Sequence, residues 1–150
     1  MDVALGVNLV LGIFNILLLL YNVSEKRKQS QYQKKLALYE KRRDIFHAIM
    51  SYIATILRRP NQLTHEDSKE LMRKTIDAEF LFDDDILEYR KEIFGKGLEI
   101  ITHNEMLENL PVGDERNKIV NEQHENIKWC HAKFSETKQI FAEYLDLTKD

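Results

Sequence analysis

Residues 3–24 read VALGVNLVLGIFNILLLLYNVS and carry no charged side chain. At 1.5 Å per residue, the run from Val3 to Tyr21 forms a helix roughly 28 Å long, close to the hydrocarbon thickness of a bilayer. A buried core helix of a soluble protein is the first competing reading. An all-round apolar run at the end of a chain, directly followed by a basic segment, argues against it. A cleaved secretory signal is the second. It needs a basic start and small residues at a cleavage site, whereas this chain starts Met1-Asp2 and the run closes on Tyr21-Asn22-Val23-Ser24. The expectation is one transmembrane helix over 1–24 and a helical domain over 25–150.

Three asparagines interrupt the apolar run at a fixed interval: Asn8, Asn15 and Asn22. Leu5, Gly12 and Leu19 recur at the same interval and fall between them. Together they form an alternating 3/4 seam, the spacing of left-handed helix packing. An amide facing lipid lacks a partner, while one facing a second helix bonds across it for about 0.6–2 kcal/mol. Asn8, Gly12, Asn15, Leu19 and Asn22 are therefore expected to form a self-association face. Two alternatives stand beside it. The seam lines a polar pore, or the outer asparagines sit among headgroups and Asn15 is simply tolerated.

Between Ser24 and Arg43 there are eight Lys/Arg and two Glu, and from Asp44 onward the chain is acidic. Lys26, Arg27, Lys28, Lys34 and Lys35 form a basic collar just past the apolar run. Such a collar suits anionic lipid headgroups, and nucleic acid is not expected as a partner because few aromatics are interleaved with it. By the positive-inside rule it places the domain in the cytoplasm and the N-terminus outside, with Tyr21 as an interface anchor.

Composition bounds the remaining residues, roughly 125, to one modest domain. With five glycines, two prolines and 31% charged residues among 150, the chain is helix-rich with short connections. A single cysteine, Cys130, excludes a disulfide or a cysteine zinc site within the chain. The expected fold class is all-α: the membrane helix continues into an antiparallel, roughly four-helix bundle.

Tyr32, Leu36, Tyr39, Arg43, Phe46, Met50, Ile53 and Leu57 step by alternate threes and fours. This predicts one helix running without a break from the membrane to about Arg59, where Pro60 ends it. Thr64 opens a second helix, with Asp67 completing a capping box and Leu71, Met72, Thr75, Ile76, Phe80 and Phe82 as its apolar face. Asp83-Asp84-Asp85 reads as a turn and helix start rather than a cation site. A third helix covers about Ile86 to Leu110, with Ile86, Ile93, Ile100 and Leu107 as its seam. Gly95 and Gly97 inside it imply close packing or a kink. After the Pro111–Asp114 turn, a fourth helix covers about Glu115 to Leu147. Its seam is Val120, Gln123, Ile127, Cys130, Phe134, Thr137, Phe141 and Tyr144.

Arg43 is the one charge in the first seam. A hairpin turning near Gln62 brings it within half a helical turn of Glu79, so a structural ion pair Arg43–Glu79 is expected, the competing reading being that Arg43 snorkels past the core edge to solvent or lipid phosphate. Catalytic chemistry is not. Cys130 lies on an apolar seam, where a thiol behaves as a small hydrophobe. The five histidines include Asp44-x-x-His47, Glu99-x-x-x-His103 and His124 followed seven residues later by His131. They lack the paired Glu-x-x-His motifs of a di-metal bundle, so no metal and no cofactor is expected.

The stretches LALYEKRRDIFHAIMSYI (36–53), DAEFLFDDDILEYRKEI (77–93) and FAEYLDL (141–147) resemble a group of uncharacterised bacterial proteins with a single membrane span and a helical domain. The resemblance implies a bacterial inner-membrane setting and carries over no site residue. The function expected is a non-enzymatic, membrane-anchored, self-associating scaffold that also binds an unidentified protein partner. The alternative is a small pore-forming or membrane-disrupting effector built on the asparagine seam.

Overall fold

Glycine and proline are absent from Ile13 to Arg59, so nothing in that stretch interrupts a helix once it has started. A computed structural model, which describes the backbone of residues 3–148 and the side chains of residues 8–148, shows the consequence. Helix α1 runs over Val3–Arg58, 56 residues without a break. Arg59, which precedes Pro60 and leaves the helical conformation (φ −144°, ψ 57°), ends it. A 3-10 turn at Pro60–Gln62 leads into α2 (His65–Lys74), a 3-10 helix (Ile76–Phe80), α3 (Asp84–Asn109) and α4 (Asp114–Ile140). The protein is all-helical, with four α-helices and no strand among the described residues.

The chain divides into two compact units, one reaching Ala37 and the other starting at Leu38. In the second unit the core is built from Ile45, Ile49, Tyr52, Ile53 and Ile56 of α1 together with Leu71, Phe82, Ile86, Ile93, Ile100, Cys130 and Phe141. The 3/4 spacing expected on α1 is present, but the buried stripe is Ile45, Ile49, Tyr52 and Ile56. It lies one residue before the expected Phe46, Met50 and Leu57, which are half-buried, while the expected Ile53 is fully buried beside it. Both stripes are uncharged over this stretch, and packing against the rest of the core selects the earlier one.

α2 begins as read from the sequence. The Thr64 hydroxyl accepts from the Asp67 amide, and the Asp67 carboxylate accepts from the Thr64 amide at 2.9 Å, a complete capping box. It stops earlier than expected. At Thr75 the hydroxyl bonds back to Leu71 O (2.8 Å), and Arg90 donates to the Thr75 carbonyl at 2.7 Å. The chain then tightens into the 3-10 helix. Leu71, Thr75, Ala78 and Phe82 are buried, while Met72, Ile76 and Phe80 are exposed.

α3 and α4 meet along polar bonds whose residue numbers run in opposite directions, as in a helical hairpin. The Tyr89 phenol donates to Lys133 O (2.9 Å), Lys96 reaches Asn126 Oδ1 (3.1 Å) and Gln123 donates to Asn104 Oδ1 (2.6 Å). Arg116 closes the connection by donating to Leu107 O and Leu110 O, two carbonyls at the end of α3 that lack a helical partner. α4 ends at Ile140, seven residues short of the expected Leu147. Phe141 is buried against Phe46 and Phe82 in edge-to-face contacts, and that anchor turns the chain.

Candidate membrane and association surfaces

The N-terminal part of α1 is long and apolar enough to cross a membrane, and none of that apolar stretch is buried inside the protein. Its large apolar side chains from Leu9 to Val23 are 43–65% exposed. On this helix Asn8, Asn15 and Asn22 fall on one side, because seven residues complete nearly two turns and drift by only ~20°. Gly12 and Leu19 lie along the same stripe, and all five residues are exposed. A Cβ at Gly12 would meet nothing within 4 Å, so the backbone is open to close approach there. Leu5, the remaining member of the stripe, has a side chain outside the described residues.

Lys26, Arg27, Lys28 and Lys34 are exposed on the following turns, and Lys35 is half-buried. Lys28 pairs with Glu25 at 3.1 Å, an exposed contact one turn apart that contributes little to stability. The residues of the collar stay on the helix surface, spread over more than two turns.

Arg43 and Glu79 are not brought together. Both are exposed, and among the described residues no ion pair joins them. Arg43 instead lies over the Tyr39 ring, 5.9 Å from its centroid. The preceding residue takes the place expected of Arg43. Arg42 is half-buried, donates to Leu81 O at 2.9 Å and lies over the rings of Phe82 and Tyr144. The one-residue rotation of the buried stripe moves the guanidinium position with it.

Tyr144 is a contact the sequence spacing did not indicate. Its phenol lies 3.0 Å from both the Asp83 and the Asp85 carboxylates, tying the end of the chain to the start of α3. Partial burial, and then these two acceptors, raise its pKa above the ordinary tyrosine value. The Asp83–Asp85 run thus starts α3 and anchors Tyr144. Among the described residues no three His, Cys, Asp or Glu side chains gather as metal ligands would. His65 pairs with Glu105 (3.1 Å) and His103 with Glu122 (3.7 Å), both across neighbouring elements. Cys130 is fully buried, and burial pushes its thiol up to about 11. A groove of about 530 Å3 between α3 and α4 exposes Gly95, Lys91, Lys96, Glu99 and Trp129, a lining of mixed charge.

No family model matches this chain, and no curated protein or solved structure is similar to it.

Proposed function

We propose that the protein is a membrane-anchored, self-associating helical scaffold of a bacterial inner membrane. The N-terminal part of α1 spans the bilayer, and the unit from Leu38 onward is an antiparallel four-helix bundle on the cytoplasmic side. One observation carries this reading: the uncharged run whose side chains remain exposed from Leu9 to Val23. Leaving that surface in water would cost on the order of 25 kcal/mol at ~25 cal/mol per Å2. That exceeds the whole stability of a typical domain, about 5–15 kcal/mol, so lipid or another helix must cover it.

The basic collar supports the orientation and contact with anionic lipid. The asparagine stripe supports pairing between copies, because each amide then finds a partner inside the membrane. The opposed numbering of the α3 and α4 contacts supports the bundle. A protein partner for the cytoplasmic unit, and the absence of catalysis, belong to the same reading.

A reporter fused after Asp150 tests it. A fusion active in the cytoplasm, with the protein retained in membranes after alkaline washing, is the expected result. Release by the wash, or activity only outside the cytoplasm, would overturn the reading. In liposomes the scaffold conducts no ions, whereas a pore on the same stripe gives flux that Asn15→Leu reduces.

A further inference from the structure

The segment 71–82 has two apolar sides, and only one is used. Leu71, Thr75, Ala78 and Phe82 enter the core, while Met72 (40% exposed), Ile76 (66%) and Phe80 (80%) remain on the outside. The tightening at Thr75 produces this second side. In a 3-10 helix of three residues per turn, Ala78 faces inward, so the pairs Ile76/Glu79 and Asp77/Phe80 both fall on the outer side.

We propose that this outer side docks on the same side of a second copy of the chain. The order of charges along it identifies the occupant. Arg73 and Lys74 follow Met72 at the α2 end, Ile76 lies at the centre, and Asp77 and Glu79 precede Phe80 at the 3-10 end. Lys74 is held by Glu70 at 2.7 Å, but Arg73, Asp77 and Glu79 make no hydrogen bond or ion pair among the described residues. A two-fold axis through Ile76 lays two such strips antiparallel. Each Arg73 then faces the partner copy's acidic end, and Met72, Ile76 and Phe80 cover one another, as an isologous interface requires. A parallel arrangement would set like charge against like.

The area involved says when this happens. The three side chains offer on the order of 350–400 Å2 per copy, about half of what each partner contributes to a stable interface. The face therefore does not hold two free molecules together. It engages once the copies share a membrane and their effective concentration reaches ~mM, so the proposal rests on the self-association reading above.

The full chain in liposomes, carrying either Ile76→Cys or Leu19→Cys, is the test. The native Cys130 is buried and stays out of the reaction. Oxidation should cross-link both variants into dimers. In the Ile76→Cys chain, Arg73→Glu should reduce the cross-link several-fold, and adding Asp77→Arg with Glu79→Arg should restore it. Cross-linking at Leu19→Cys without any at Ile76→Cys would overturn the docking face and leave membrane self-association standing. Failure of both would remove both. A cross-link at Ile76→Cys that the charge reversals do not change would overturn the antiparallel arrangement. A lipid-sensitive dye at Ile76→Cys reporting a membrane environment would overturn the second copy as occupant.

Discussion

Gly95 and Gly97 stand two positions apart on α3 and have opposite surroundings. A Cβ at Gly97 would collide with the phenol oxygen of Tyr52, which is itself buried and hydrogen-bonded to Ser68 at 2.7 Å. A Cβ at Gly95 would meet nothing within 4 Å. Gly97→Ala should therefore destabilise by about 1–3 kcal/mol through overpacking, while Gly95→Ala should stabilise by up to about 1 kcal/mol through helix propensity. Denaturant unfolding followed by circular dichroism reads both, and equal effects at the two sites would contradict the packing. The neighbouring arginines form a second contrast. Arg42→Ala loses a charged bond to Leu81 O and two ring contacts, and should cost about 2 kcal/mol. Arg43→Ala, at an exposed position, should stay within about 0.5 kcal/mol. The spacing alone points to Arg43 as the important guanidinium. Alternating threes and fours fix the period of a helix face, but two adjacent stripes of α1 share that period, and only packing chooses between them.

Helix ends divide into those settled locally and those settled by tertiary contacts. Pro60 and the Thr64 capping box act within a few residues, and both were legible in the sequence. The break at Thr75 was not, because Arg90, fifteen residues away, takes its carbonyl. The turn after Ile140 depends likewise on Phe141 reaching Phe46 and Phe82. Thr64→Ala should cost about 1 kcal/mol, read as a lower unfolding midpoint. The α3–α4 contact adds a pH dependence. Burial, only partly offset by the hydrogen bond with Thr137, pushes Tyr89 up to about 12 from an ordinary value of 10.0. In the unfolded chain the phenol loses its proton first. Between those two values the folded state binds more protons, so stability present below the unfolded pKa is lost as pH rises through the folded one. Unfolding midpoints should fall on going from about pH 10 to about pH 12. Tyr89→Phe should flatten part of that decline. An unchanged slope in the variant would show that Tyr89 does not carry it.

At the scale of the whole molecule, the helical class and the apolar start of α1 were legible because both follow from composition and uninterrupted stretches of sequence. The outward Met72, Ile76 and Phe80 were not, since their exposure depends on the tightening at Thr75. The proposed self-association places its weight on the asparagine stripe of the apolar helix. If copies pair through it, the central amide matters most, because Asn15 lies deepest in the run and is furthest from water. Energy transfer between differently labelled full-length copies in liposomes measures this directly. Asn15→Leu should lower the transfer substantially, while Ile16→Leu, one position around the helix, should leave it unchanged. Equal transfer from the two variants would contradict self-association through the asparagine stripe.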